Sequence, residues 1–227
     1  MDDTPERLAD LEPLERLERQ YIDLLLAGER HRAAELVIAH ADAGVTVKNL
    51  YLRVFEPAQV EIGQRWQRNE ISVAHEHYCT AATQLIMSML YPRMFGGDRN
   101  GRRLVAATVA GNLHEIGARM VADFFEFDGW DTYFTGADTP LRAVVASVAE
   151  REAHAVALSA TLSQHVAGLA ELVAAIRAEP ATAGVLVLVG GRPFLYDPEL
   201  WRRIGADGTA TDAQGAVDLA ASLLSTS

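Results

Sequence analysis

The apolar run Leu104–Ala110, closed by Gly111 and followed at once by Asn112-Leu113-His114-Glu115-Ile116-Gly117, constrains this chain more than any other stretch. A short apolar run without polar alternation reads as a strand buried on both faces, the kind found in parallel sheets. Ala118 to Phe127 then reads as a helix, which places His114 on a strand-to-helix loop. More strand and helix pairs follow: Trp130–Thr135 with Leu141–Arg151, Ala155–Leu158 with Val166–Ala178, and Val185–Val189 with a short helix around Pro198–Arg203. Asp207–Thr211 is a short strand or loop, and Asp212 caps a last helix to Leu224. Strands alternating with helices predict a doubly wound parallel sheet of about five strands. Ligands bind such sheets beyond the carboxyl ends of the strands, so His114 stands on a ligand-binding edge.

The first hundred residues read differently. Residues 1–12 are charged and are expected to fray. Leu14, Leu17, Tyr21, Leu24 and Leu25 recur at helical spacing up to Gly28, and a second helix, Arg30 to Ala43, offers Ala34, Leu36, Val37 and Ala41 for burial. Thr46 is a candidate N-cap for a third helix carrying Leu50, Val54, Val60, Ile62 and Trp66, with a kink or break at Pro57. Ser72 can cap a fourth, running through Leu85, Met89 and Leu90 to Pro92 or Phe95. Four helices on short loops predict an antiparallel bundle over residues 13–95. Residues 96–102, Gly96-Gly97-Asp98-Arg99-Asn100-Gly101-Arg102, form a polar, glycine-rich linker to the α/β domain, residues 103–227.

Composition excludes several classes. The formal net charge is −11, which argues against a nucleic-acid surface, since phosphate binding needs clustered positive charge. The single cysteine, Cys79, permits no internal disulfide and suits a reducing compartment, so a cytoplasmic location is expected. No apolar run approaches the ~20 residues of a membrane span, and the acidic start Met1-Asp2-Asp3-Thr4 does not read as a signal peptide.

The spacing downstream of His114 is the second informative feature. Gly117 is followed after 41 residues by Ser159-Ala160-Thr161, and Thr161 after 28 residues by Gly190-Gly191. His-x-x-Gly, Ser-x-Thr and Gly-Gly at these separations resemble the cobalamin-binding fold of corrinoid proteins, a Rossmann-like domain. The resemblance covers Arg103 to about Leu224. It implies that His114 is the axial ligand of the cobalt and that the cofactor's nucleotide tail runs into the α/β domain. Imidazole suits a borderline first-row metal, and its second nitrogen needs a partner. Gly117, Gly190 and Gly191 would leave room for the tail, and the Ser159 and Thr161 hydroxyls would bond its base. Corrinoid methyltransferase proteins place an aspartate two residues before the histidine. Here Asn112 stands there, able to accept the imidazole proton as a hydrogen bond but bringing no charge.

In the bundle, Trp66 is followed after nine residues by Glu76-His77. This pattern resembles the CarH group of light-sensing proteins, in which a helical cap covers adenosylcobalamin and tryptophan, glutamate and histidine surround its adenosyl group. CarH has an amino-terminal DNA-binding domain that is missing from this layout, and a histidine directly after the tryptophan where Gln67 stands here. The layout also resembles AerR-type antirepressors and photocobilins, which bind a bilin such as biliverdin beside cobalamin. The resemblance implies a non-catalytic cobalamin-binding regulator that signals through a homo-oligomer or a regulatory protein partner. A corrinoid methyl carrier of a methyltransferase system is the alternative with the same domain order. His75 and Cys79 lie four apart, but the zinc-protease motif His-Glu-x-x-His is absent, and Cys79, Met87, Met89 and Met94 read as core.

Overall fold

The structure, a computed structural model, describes residues 11–94 and 98–225; most of the charged start, residues 1–10, lies outside them. The chain divides into two compact units, Met1–Gly96 and Gly97–Ser227.

The first unit is helical: α1 (Leu11–Leu26), α2 (Arg30–Asp42), α3 (Val47–Leu50), α4 (Glu56–Gln67) and α5 (Val73–Leu90). Its expected caps are made, Thr46 accepting from Asn49 N–H and Ser72 from His75 N–H. Between α3 and α4 the chain runs through one π turn, Tyr51–Phe55. Pro57 explains it. Proline has no N–H to return to the Arg53 carbonyl, and the helix passes the site by widening the preceding turn, so that Glu56 N–H bonds to Tyr51 C=O. Pro57 thus stands in the first turn of α4, and the expected break in the third helix takes the form of this π turn. Tyr21, Tyr51 and Phe55 are buried and stack in tilted pairs 5.4 Å apart.

Two burial expectations fail. Val60 is 52% exposed and Met89 45% exposed. The buried row of this helix is Leu50, Val54, Ala58 and Ile62, and Val60, two residues from either of the last two, faces the other way. Met89 lies two residues after buried Met87 for the same reason.

The second unit is a five-stranded parallel sheet in the order β2-β1-β3-β4-β5, with β1 Arg103–Thr108, β2 Asp131–Phe134, β3 Ala155–Ser159, β4 Leu186–Gly190 and β5 Gly208–Thr209. Between them lie α6 (Ile116–Phe127), α7 (Leu141–Glu150), α8 (Val166–Ala178), α9 (Arg192–Tyr196), α10 (Leu200–Arg203) and α11 (Ala213–Ser225). Where one short helix was expected near Pro198, two form, because Pro193 can open a helix directly after Gly191. The inner strands β1, β3 and β4 are nearly all buried, which is why they read as unbroken apolar runs. Edge strand β2 alternates, with Asp131 and Tyr133 exposed. Val105, Ala107, Val156, Leu158, Val187 and Val189 point to one face and pack on Val144 and Val148 of α7 and Leu169, Val173 and Ile176 of α8. The other face carries α6, which also packs on α11. The doubly wound fold read from the sequence is the fold observed. The order reverses between β1 and β3, so the loops after these strands frame the switch-point crevice.

Candidate functional site

The loop after β1 is fixed by its neighbours before it reaches His114. Gly111, at φ +81°, makes the turn out of the strand. Its N–H donates to Asp138 Oδ1 at 2.6 Å, from the loop after β2. Thr108 Oγ1 donates to the Asn112 carbonyl at 3.0 Å, and Asp138 N–H approaches that carbonyl and Thr108 Oγ1, each at 3.1 Å. Asn112 is fully buried and ties β1 to β3: its Nδ2 donates to the Ser159 carbonyl at 3.3 Å, and its Oδ1 accepts from His114 N–H at 3.1 Å.

That arrangement revises one expectation. The Asn112 oxygen bonds to the backbone N–H of His114, not to its imidazole. The amide suits the position because one end must accept and the other must donate. His114 itself is half-buried, and its Nδ1 is buried with no hydrogen-bond partner. An orphaned ring nitrogen is costly unless the site gives it a use.

The loop after β3 supplies a second imidazole. His165 is 7% exposed, and its Nδ1 accepts from Leu162 N–H at 3.3 Å. The proton is therefore on Nε2. Burial first, and then the proximity of His114, hold its pKa below the usual histidine value, with the Gly111 backbone acting the other way.

The glycines separate into two kinds. A Cβ built on Gly117, in the first turn of α6, or on Gly190, at the end of β4, meets nothing within 4 Å. On Gly191 it would lie 2.1 Å from the Ala160 carbonyl oxygen, and the residue sits at φ +107°. The missing side chain of Gly191 is thus required by the backbone just beyond β3. Ser159 and Thr161 are half-buried at the end of β3 and beyond it. Thr209, ending β5 at the same edge, has a buried Oγ1 without a partner.

Sequence reading missed Thr108, Asp138, His165 and Thr209. All four lie at the carboxyl ends of strands or just beyond, so the rule that selected His114 would have selected them, had each strand end been searched for polar residues. Residues joined here come from three strand-end loops, which no linear motif records.

The bundle residues form a separate group. Glu76, in the first turn of α5, lies 2.7 Å from His77 Nδ1 and 3.2 Å from the Thr80 hydroxyl, while His77 is exposed. Thr80 also reaches Gln59, whose amide donates to Thr83 at 2.8 Å, and Thr83 meets the buried Tyr21 hydroxyl at 2.8 Å. Trp66 is half-buried near the carboxyl end of α4. Cys79 is fully buried, and burial pushes its thiol up to about 11. Among the described residues there is no cluster of three or more His, Cys, Asp or Glu able to hold a metal ion, and no helix long and apolar enough to cross a membrane.

A helical unit followed by a 2-1-3-4-5 parallel sheet, with a histidine displayed at the switch point, defines a two-part protein of the corrinoid-protein architecture. Comparison with known proteins agrees. A B12 binding domain model matches residues 102–218, just over half of the chain, and a second B12 binding domain model matches residues 17–91. The chain belongs to the B12-binding domain family. It is 28% identical over 167 residues to dimethylamine corrinoid protein 3 of Methanosarcina mazei, covering 72% of this chain and 98% of the relative. The structure of Methanosarcina barkeri monomethylamine corrinoid protein superposes with a TM-score of 0.80 at 21% identity, over 92% of this chain and 98% of that one, which shows a shared fold. A cobalamin-binding protein from Desulfitobacterium hafniense DCB-2 matches with a TM-score of 0.51 at 26% identity, over 92% and 97% of the two chains.

Proposed function

We propose that this protein is a corrinoid carrier: it binds a cobalamin-type cofactor through His114 and presents it to partner methyltransferases, itself catalysing nothing alone. The observation that carries this reading is the His114 ring, set at the switch point with a buried, unpartnered Nδ1 and no other metal-binding cluster among the described residues. A lone imidazole is a poor site for a free ion, which needs several protein ligands, but it suits a metal whose remaining ligands come with a macrocycle. The residues fit the group in other respects. Gly117 and Gly190 leave open space at the strand ends, and Thr209 Oγ1 and the half-buried Ser159 and Thr161 offer hydroxyls at the same edge. The bound corrinoid supplies a cobalt centre that accepts and releases a methyl group. The chain's own part is to hold the ring nitrogen in place and to lodge the tail. The corrinoid-protein relatives support this reading over a sensor.

A light-responsive adenosylcobalamin regulator is kept as a second reading because of two observations. Position 112 carries no carboxylate to take up a proton from the ligand histidine, and Glu76 is held in place by Thr80 beside exposed His77, as an adenosyl-contacting pair would need. A bilin relative is a further form of this reading, but buried Cys79 offers no thiolate for a covalent tether.

One preparation separates the readings. The protein is reconstituted in the dark with methylcobalamin or adenosylcobalamin. Methyl transfer to or from purified partner methyltransferases supports the carrier. Light-driven loss of the cobalt–carbon bond, with a changed elution volume and no transfer, supports the sensor. No corrinoid retained by the wild-type protein under either condition overturns both.

A further inference from the structure

Asp138 belongs to no motif, yet it stands in the loop after β2 with its backbone at φ +49°, in the left-handed region that residues with a Cβ seldom enter. Backbone held there costs free energy and persists only where the surroundings over-determine it. The contacts that hold Asp138 lead to the loop that carries His114. Its Oδ1 accepts the Gly111 N–H at 2.6 Å, and its own N–H approaches the Asn112 carbonyl and Thr108 Oγ1, each at 3.1 Å. Asn112 in turn holds the His114 N–H at 3.1 Å. On the other side of His114, Glu115 lies over the same β2 loop: a Cβ built on Gly136 would stand 3.5 Å from Glu115 Oε2. The loop after β2 thus meets the chain both before and after the histidine. A glycine would take this φ without cost, so the backbone alone does not call for an aspartate. What the side chain adds is an acceptor for the Gly111 N–H.

We propose that Asp138 is a positioning residue for the axial ligand: by accepting the Gly111 N–H it clamps the loop after β1 in the form that presents His114 at the switch point. The inference rests on the reading of His114 as a cobalt ligand. Asp138 acts through the backbone of Gly111 and Asn112, three and two residues before that ligand.

Two substitutions separate the acceptor from the backbone. Asp138→Asn keeps a side-chain oxygen that can accept from Gly111, and asparagine tolerates the left-handed region. Asp138→Gly keeps the main-chain N–H and relieves the strain, but removes the acceptor. The readout is the electron paramagnetic resonance spectrum of cob(II)alamin bound to protein whose histidines are labelled with 15N. A doublet superhyperfine splitting reports histidine on cobalt, and a triplet reports the cofactor's own base.

The wild type is expected to give the doublet. Asp138→Gly should lower the ratio of histidine-ligated cobalt to all other forms about three- to tenfold, the range that losing one hydrogen bond of ordinary net worth corresponds to. Asp138→Asn should stay near the wild-type ratio. A wild-type ratio in Asp138→Gly overturns the proposal alone. So does an equal loss in both variants, because the acceptor would then not be what matters. No doublet in the wild type overturns the ligand reading and this proposal with it. Should Asp138→Gly fail to fold, hydrogen exchange of the Gly111 amide in the wild-type protein decides: slow exchange supports the clamp, and exchange as fast as in an open loop overturns it.

Discussion

Gly117 and Gly191 should respond to alanine with opposite signs, and the structure gives the sizes. Gly117 lies in the first turn of α6 with open space where a Cβ would go. Alanine there removes a helix penalty of about 0.5–1 kcal/mol, with the lower end of that range suited to a first-turn position. At roughly 2–4 °C per kcal/mol, the apo protein should melt about 1–2 °C higher. Gly191→Ala faces φ +107° and ψ 177°, a region essentially restricted to glycine, at about 1–3 kcal/mol. Its Cβ would also meet the Ala160 carbonyl at 2.1 Å, adding about 1–3 kcal/mol as the strands shift. The combined loss, about 2–6 kcal/mol, should lower the melting temperature by at least about 4 °C. Cofactor affinity should invert the order at Gly117. If the tail passes over that backbone, the added methyl displaces it at about 1–3 kcal/mol, roughly five- to 150-fold in Kd. Thermal melts of the apo proteins and absorbance titrations with cobalamin measure both. A Gly117→Ala protein that melts lower, or that binds cobalamin as tightly as wild type, refutes the reasoning at that position. A Gly191→Ala protein that melts like wild type refutes it at the other.

Three further outcomes are expected. His114→Ala should fold normally and shift the cobalt spectrum from histidine-ligated to water- or base-ligated; an unchanged spectrum removes His114 from the coordination sphere. Asn112→Asp should place a buried carboxylate against the Ser159 carbonyl, costing about 1–3 kcal/mol at neutral pH. Burial and that carbonyl raise the folded carboxyl pKa above its unfolded ~3.9, so the variant's stability deficit is smallest below about pH 4 and grows as pH rises through the folded value; chemical denaturation at pH 4 and pH 7 tests the sign. Cys79, buried with its thiol pushed up to about 11, should react with a disulfide reagent at pH 8 on the order of 200-fold more slowly in the native protein than after unfolding, from ionisation alone.

The α/β unit was legible because its determinants are local. Buried parallel strands require continuous apolar runs and their helices require amphipathic ones, so β1, β3 and β4 stood out. The caps at Thr46 and Ser72 were legible for the same reason, since a capping side chain acts within three residues. The π turn was not, because a proline's effect on the preceding turn depends on how the chain accommodates the missing N–H. Two adjacent glycines, Gly190 and Gly191, look alike in a sequence. One leaves open space and the other is filled by a neighbouring strand's carbonyl, a distinction that exists only after the sheet is assembled.

By itself the sequence determined the order of elements, the parallel sheet and the loop that carries His114, since each follows from patterns within a few residues. Tertiary structure alone decided that Asn112 would donate to the Ser159 carbonyl, and that Asp138 would hold the Gly111 N–H. Those bonds join residues 27 and more positions apart, and only the folding of three strand ends onto one edge brings their donors and acceptors within reach.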